Sequence, residues 1–454
     1  VERIIARVSA LSEPDVDSLL DKVMQEFRGR HPRTREFFHH RFEQVRKHLL
    51  TDQPLGESRR LLIGSYFTSE YALESAALFN PSMVWHPDQS GLPAGCRRFV
   101  LSLRATGEGH ISSITFRSGV IDAAARIRVD DPTRLVVAPD LVPNSLYEKA
   151  LFYRKLTELG INGPFTELVM AALGDQFTLD DLGRTLRNAV RHNRARQHEY
   201  EPIAATMLVL AKANYEIRFD PALNVSERVI FPSSPTETNG IEDARFVRFT
   251  HDDGRVTYYA TYTAYDGRVT LPQMLETEDF LHFKVSTLNG PEVKNKGFAL
   301  FPRTVNGQYA MLSRQDNENV YLMYSDMPHF WYTKTLVAKP TYPWEFVQLG
   351  NCGSPIETDA GWLVLTHGVG PMRKYAMGAF LLDRDDPARL IGRLATPLLE
   401  PNTNEREGYV PNVVYSCGAV VHGKDLIIPY AMSDYASSFA TVPLADVLNA
   451  MTRV

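Results

Sequence analysis

Cysteine is scarce in this chain. Its 454 residues include three, Cys96, Cys352 and Cys417, spaced too widely for a zinc-ligand pattern or a disulfide framework. Buried, reduced thiols are therefore expected, and with them a cytoplasmic location. Basic runs are missing too: no stretch of five or more Lys or Arg stands out, and the formal net charge is -5, which argues against nucleic acid as a partner. No apolar run approaches the ~20 residues of a membrane-spanning helix, so no membrane contact is expected. A charged-then-apolar secretory leader is not visible either. The adjacent pair His39 and His40 is a weak hint of metal, but neighbours on a helix face different directions, so a solvated or packed pair is expected and no metal site.

What is present is a globular composition, 44% hydrophobic, long enough for two or three domains. Two segments carry helical periodicity. In residues 12–50, "LSEPDVDSLLDKVMQEF" offers Ser12 as N-cap and Pro14 in the first turn, and "TREFFHHRFEQVRKHLL" continues the period. In residues 144–214, "NSLYEKALFYRKLTELG" ends on Gly160, and Thr178 and Asp181 stand in capping-box spacing.

Elsewhere the period is two, and one strand pattern repeats. "FVLSLRA" from Phe99, "YATYTA" from Tyr259, "YAMLSRQ" from Tyr309 and "WLVLTHG" from Trp362 are apolar strands that end on a polar residue after a common interval. "LIIPYAMSD" from Leu426 reads as a fifth copy; from Tyr259 onward the copies start 50, 53 and 64 residues apart. Such spacing suits one four-stranded propeller blade per copy. In a propeller, equivalent positions converge at one end of the axis, so Arg104, Arg314 and His367 would face one another. Like charges gathered without a counterion repel, and the cluster implies an anionic guest.

The run "TNGIEDARFVRF" places Glu242, Asp243 and Arg245 at the mouth of the strand that enters the Tyr259 copy. An isolated Glu-Asp-x-Arg is usually a strand-edge ion pair. Here it resembles the "EDPR" signature of glycoside hydrolase family 130, and further matches follow in order. "ALFNPSMV", "LSLRA", "NKGFALFP", "GNCGSPIETDAGWLVLTHGV", "YAMGAFLLDRDDPARLIGR" and "LLEPNTNEREGYVPNVVYSCGAV" resemble the family's landmarks over about 76–120 and 225–440. The resemblance implies a mainly β fold, a five-bladed β-propeller, here with an α-helical lobe added from the N-terminus and from an insertion after the first blade. The expected layout is an N-terminal helical segment at 1–60, first-blade region 61–130, helical insertion 131–212 packing with the N-terminal segment, and remaining blades 213–454.

Roles carry over by position. Asp243 matches the catalytic acid. Arg104, Arg245, Lys296, His367 and Tyr375 match positions around inorganic phosphate, and Asn80, Ser82 and Asp434 match residues near the mannosyl unit. Glu242 is expected to pair with a nearby base. The implied reaction is inverting phosphorolysis of β-mannosides, with β-1,2-linked oligomers preferred, to give α-mannose 1-phosphate; in the family the acid acts through a sugar hydroxyl. A phosphorylase needs no general base, because its nucleophile is already an anion, but it does need fixed cations and donors to aim that anion. Phosphate is thus a co-substrate and no cofactor is implied. A β-mannoside hydrolase and a non-catalytic mannoside-binding propeller are the other readings. Two departures stand out. Ala244 replaces the signature's proline, and the loop "TGEGHISSITFRSG" differs from common members, so Glu108 and His110 either shape the acceptor side or pair with each other in a surface turn. Arg314 follows the repeat without a matched role. A helical lobe could mediate homo-oligomers.

Overall fold

A computed structural model describes the chain apart from Pro32, Leu50, Asp52, Asn144, Arg268 and Val269. The ends of the two expected helical segments at Leu50 and Asn144 therefore lie outside the described residues. The chain forms two compact units, Val1–Ala72 and Leu73–Val454.

The first unit is helical: Glu2–Ser9, Glu13–Glu26, Thr34–Val45 and Glu57–Ser65. The Ser12 hydroxyl accepts the Asp15 N–H at 3.3 Å and Pro14 occupies the first turn, so the expected helix start is realised. Ile5, Val8, Val16, Phe42, Leu62 and Ile63 bury one shared apolar face. Buried Arg59 donates to the carbonyls of Val8 at 2.5 Å and Leu11 at 2.8 Å and to the Glu13 carboxylate at 2.7 Å. It thereby satisfies acceptors that the first helix leaves open at its end. This contact makes Glu57–Ser65 part of the N-terminal unit, which runs on to Ala72 rather than ending at 60. His39 and His40 are both exposed, and His40 pairs with Gln44 at 2.8 Å.

The second unit is mainly β, with five antiparallel sheets of four or more strands among the described residues. The first holds Ala77–Trp85, Arg97–Thr106, Ser112–Ile121 and Ile127–Val129, joined by Val229–Ile230. The second holds Ile241–Thr250, Val256–Tyr265, Thr270–Thr277 and His282–Thr287, extended by Tyr215–Arg218 and Asp140–Leu141. Ala299–Leu300, Tyr309–Ser313, Val320–Ser325 and Thr335–Ala338 form the third. Gln348–Asn351, Gly361–Val369, Tyr375–Leu382 and Leu390–Arg393 lead the fourth, and Val414–Tyr415, Val420–His422, Asp425–Met432 and Ala436–Pro443 make the fifth. Each of the five repeat strands read from the sequence lies in a different sheet.

Helices Lys149–Glu158, Pro164–Ala172, Leu179–His192 and Gln197–Lys212 form the insertion, around Phe152, Leu156, Phe165, Leu182, Leu186 and Met207. The capping box is present: Thr178 Oγ1 accepts the Asp181 N–H at 3.2 Å, and Asp181 accepts the Thr178 N–H at 3.0 Å. The insertion is anchored to the second sheet by Lys155, whose buried ammonium donates to Asn214 at 2.7 Å and to the Thr287 hydroxyl at 2.6 Å. Burial, with Lys284 nearby, pulls its pKa down to about 7. Cys352 and Cys417 are buried, whereas Cys96 is only half-buried, and all three are unpaired.

Three short 3₁₀ turns introduce the second, fourth and fifth sheets, and each places a buried glutamate at its third position: Glu237, Glu345 and Glu405. Their carboxylates accept the backbone N–H of Ser234 at 3.0 Å, Tyr342 at 2.9 Å and Asn402 at 3.1 Å. This second repeat was not anticipated.

Candidate active site

Local backbone sets the site. Asn80, Asp243 and Asp434 all adopt left-handed conformations, with φ of 50°, 57° and 50°. The first two sit where strand register slips, between Phe79 and Ser82 and between Glu242 and Arg245. A bulge re-aims the side chain of its extra residue, and Asn and Asp tolerate left-handed backbone better than most residues. Each such residue costs about 1–3 kcal/mol, which the surrounding sheet must outweigh.

Asp243 is thereby turned towards its neighbours. Asn80 Nδ2 donates to Asp243 Oδ1 at 2.7 Å, and Arg104 Nη1 donates to the same oxygen at 3.4 Å. Arg104 Nη2 donates to Glu242 Oε1 at 2.7 Å, and Lys296 Nζ lies 3.8 Å from Glu242 Oε2. Glu242 thus pairs with two bases, as expected. Burial pushes the Asp243 pKa up, but Arg104, Lys296, the Asn80 amide and Arg245 together hold it below the usual carboxylate value. Asp434 is the opposite case: burial and the negative charge of Asp243 raise its pKa to about 6.

Arg245 is buried. It donates to the Asn351 side chain, to the Asn351 carbonyl at 3.2 Å and to the Tyr415 hydroxyl at 2.5 Å. Arg314, 5% exposed, donates from Nη1 to His367 Nε2 at 3.1 Å. Burial, then Arg314 and Arg245, hold the His367 pKa well below normal, so the ring is neutral. Since Nε2 accepts, Nδ1 carries the proton and faces Cys352 Sγ at 3.8 Å. The ring is packed between Tyr375, stacked at 5.8 Å, and Tyr415, edge-on at 5.0 Å. Gly350 permits this, since a Cβ there would sit 2.4 Å from the imidazole. One pocket is lined by Asp243, Arg245, Lys296, Arg314, Tyr415 and Thr263 among others. It brings strand ends of the second, third and fifth sheets together.

Of the expected residues, Asp243, Arg245, Lys296 and Arg314 line it, while Arg104, His367, Tyr375, Asn80, Asp434 and Ser82 are not part of its lining. Ser82 is fully buried, and its hydroxyl accepts the Phe246 N–H at 3.0 Å. The bulge at Asn80 turns that residue towards Asp243 and leaves Ser82 to stitch two sheets. Glu108 and His110 do not pair among the described residues; both are exposed, and His110 stacks on Tyr409 instead, with ring centroids 5.5 Å apart. Thr263 is the polar residue that ends the Tyr259 repeat strand, whereas Asn351 and Tyr415 were not singled out, although both stand inside matched stretches. Their signal was position beside a named residue, not chemistry of their own.

A family model described as beta-1,4-mannooligosaccharide phosphorylase, that of glycoside hydrolase family 130, matches residues 201–453. A 1,2-beta-oligomannan phosphorylase of Thermoanaerobacter sp. (strain X514) is 31% identical over 57% of this chain and 88% of its own. A beta-1,2-mannobiose phosphorylase of the same organism is 32% identical over 49% of this chain and 70% of its own. The solved beta-1,2-mannobiose phosphorylase from Listeria innocua shares the fold, with a TM-score of 0.50 at 20% identity over 84% of this chain and 92% of its own.

Proposed function

The chain belongs to glycoside hydrolase family 130, and from that premise we propose that it phosphorolyses β-mannosides with inversion. The five sheets are read as the blades of a five-bladed propeller with helical additions. Asp243 is the acid; Arg104, Arg245, Lys296, Arg314 and neutral His367 hold inorganic phosphate; Asn80 and Asp434 face the mannosyl unit. A phosphate oxygen attacks the anomeric carbon on the face opposite the leaving oxygen. The C–O bond to the acceptor sugar breaks, and the acceptor oxygen takes the proton supplied by Asp243, directly or through a sugar hydroxyl. The products are α-mannose 1-phosphate and a shortened oligosaccharide, and the reverse reaction extends a chain.

One observation carries this reading: cations and donors in the pocket outnumber the carboxylates that could neutralise them. Buried Arg314 has no carboxylate partner, and its Nε makes no hydrogen bond among the described residues. A fixed excess of positive charge suits a dianionic nucleophile, whereas a hydrolase would need a base to activate water. The same cations hold the Asp243 pKa below the usual carboxylate value. Phosphate charge offsets them, and the carboxyl can then carry the proton it must deliver.

The β-1,2 linkage is chosen because relatives named for 1,2-linked mannosides match along more of the chain than those named for 1,4-linked ones. The test is to incubate the protein with β-1,2-mannobiose, with and without phosphate, and follow the anomeric products by NMR. Phosphate-dependent α-mannose 1-phosphate is expected. Free mannose released equally fast without phosphate would replace this reading by hydrolysis.

A further inference from the structure

The loop after the Arg104 strand carries an exposed aromatic pair. His110 stacks on Tyr409 with ring centroids 5.5 Å apart and planes 23° from parallel. Both residues are exposed. Two stacked aromatic rings left in water forgo the burial that normally holds such pairs, unless a ligand covers them.

Both rings are held in place. Gly109 and His110 are consecutive left-handed residues, with φ of 74° and 58°, and the His110 N–H closes a turn onto the Gly107 carbonyl at 3.2 Å. The Tyr409 loop lies directly on Ser433: the Val410 N–H donates to the Ser433 carbonyl at 3.1 Å, and a Cβ on Gly408 would come within 2.4 Å of that oxygen. Ser433 is in turn fixed by its hydroxyl to the Glu405 carbonyl at 2.5 Å.

Their position is also defined. His110 follows the strand that delivers Arg104 to Asp243, and Gly408 and Val410, on either side of Tyr409, pack on the residue before Asp434. Asp434, which follows Ser433, feels the charges of Asp243, Arg104 and Lys296, so the Tyr409 loop packs on the segment that carries a charged residue of the site.

Building on the phosphorylase reading, we propose that His110 and Tyr409 form an outer sugar-binding subsite, an aromatic platform for a pyranose ring of the oligosaccharide beyond the first acceptor unit. The apolar C–H face of a pyranose covers an aromatic ring well, and concave carbohydrate sites pair such rings with a few polar groups. The platform would make the protein prefer chains longer than two units.

The experiment compares β-1,2-mannobiose, mannotriose and mannotetraose as substrates for wild type, His110→Ala, Tyr409→Ala and Tyr409→Phe. With Tyr409→Ala, KM for triose and tetraose should rise about tenfold at unchanged kcat, while mannobiose kinetics stay within about twofold; Tyr409→Phe should restore the long-chain values. Equal losses on all three sugars, or none on any, would overturn the proposal. Calorimetric binding of mannobiose and mannotetraose in an Asp243→Asn background separates this idea from the function it builds on. If wild type turns over none of these sugars yet tetraose binding still weakens with Tyr409→Ala, the platform stands and the phosphorylase reading falls. If tetraose binding is unchanged there, the platform falls.

Discussion

Two groups of buried charge in the second unit have opposite designs. Glu345 and Arg393 form a closed pair: the carboxylate is fully buried and accepts Arg393 Nη2 at 2.8 and 3.0 Å, and the N–H groups of Thr341 at 2.8 Å and Tyr342 at 2.9 Å. Arg393 spends another donor on the Lys339 carbonyl at 3.1 Å. Nothing is left over for a ligand. Around Asp243 the account is open: Arg245, Arg314, Arg104 and Lys296 are crowded with a neutral histidine against the three carboxylates of Asp243, Glu242 and Asp434, and buried atoms of Asn80, Arg104 and Arg314 lack partners among the described residues. Buried charge that is fully paired is scaffold; buried charge that is left in excess awaits a guest.

Substitutions can separate the two. Asp243→Asn should give the largest effect, a loss of about 10²–10⁴-fold in both phosphorolysis and synthesis, the range for removing a positioned acid. Circular dichroism and the melting temperature should stay near wild type. Activity within a few-fold of wild type would remove Asp243 from the mechanism.

Glu345→Ala tests the closed pair. It strands the Arg393 guanidinium in the interior, and breaking a buried pair from one side costs about 3–5 kcal/mol. Urea unfolding reads this directly, and kinetics measured well below the transition should be little changed. Arg314→Met should show the reverse pattern. Burial lowers the Arg314 pKa, and the groups that favour its charge are the Tyr415 and Tyr375 phenols and the Cys352 thiol, with no carboxylate among them. Removing that charge should leave stability within about 1 kcal/mol of wild type or raise it, while KM for phosphate rises about 10- to 100-fold. A large stability loss with unaltered phosphate KM would make Arg314 scaffold as well.

The two designs were not equally legible in the sequence. The open site announced itself because its residues stand at strand ends in a repeat, and because Arg104, Arg245, Lys296 and His367 match a family pattern. The repeat strands also carried the sheets, since apolar alternation with turn residues is a local signal. Ser82 was carried over by family position beside Asn80, and the register slip that gives its hydroxyl to the Phe246 N–H leaves no mark in composition. The glutamates Glu237, Glu345 and Glu405 were missed for a different reason. Each lies three residues into a Pro- or Asn-containing turn that reads as an ordinary loop, and only the tertiary fold reveals that it is buried. His110 was flagged as a loop residue, but its partner Tyr409 is about 300 residues away, beyond any local pattern.

Asp434 sharpens the contrast most finely, because it belongs to the open site yet is not held ionised. Burial and Asp243 raise its folded pKa to about 6 from an ordinary value of 3.8. The folded protein therefore binds a proton more tightly than the unfolded chain does. This contribution to stability is fully present below the unfolded value and is lost as pH rises through about 6. Asp434→Asn keeps the shape and removes the charge. The variant should match wild type near pH 3.5 to 4 and exceed it at pH 7 by on the order of 2 kcal/mol, after allowance for screening. Melting temperatures across that pH range measure the gap. Saturating phosphate should widen it, since an added anion beside Asp434 disfavours its ionised form further. A gap that is flat with pH would mean that Asp434 ionises as freely as a surface carboxylate, and the strip of negative charge it shares with Asp243 would then have to be already neutralised by Arg104 and Lys296.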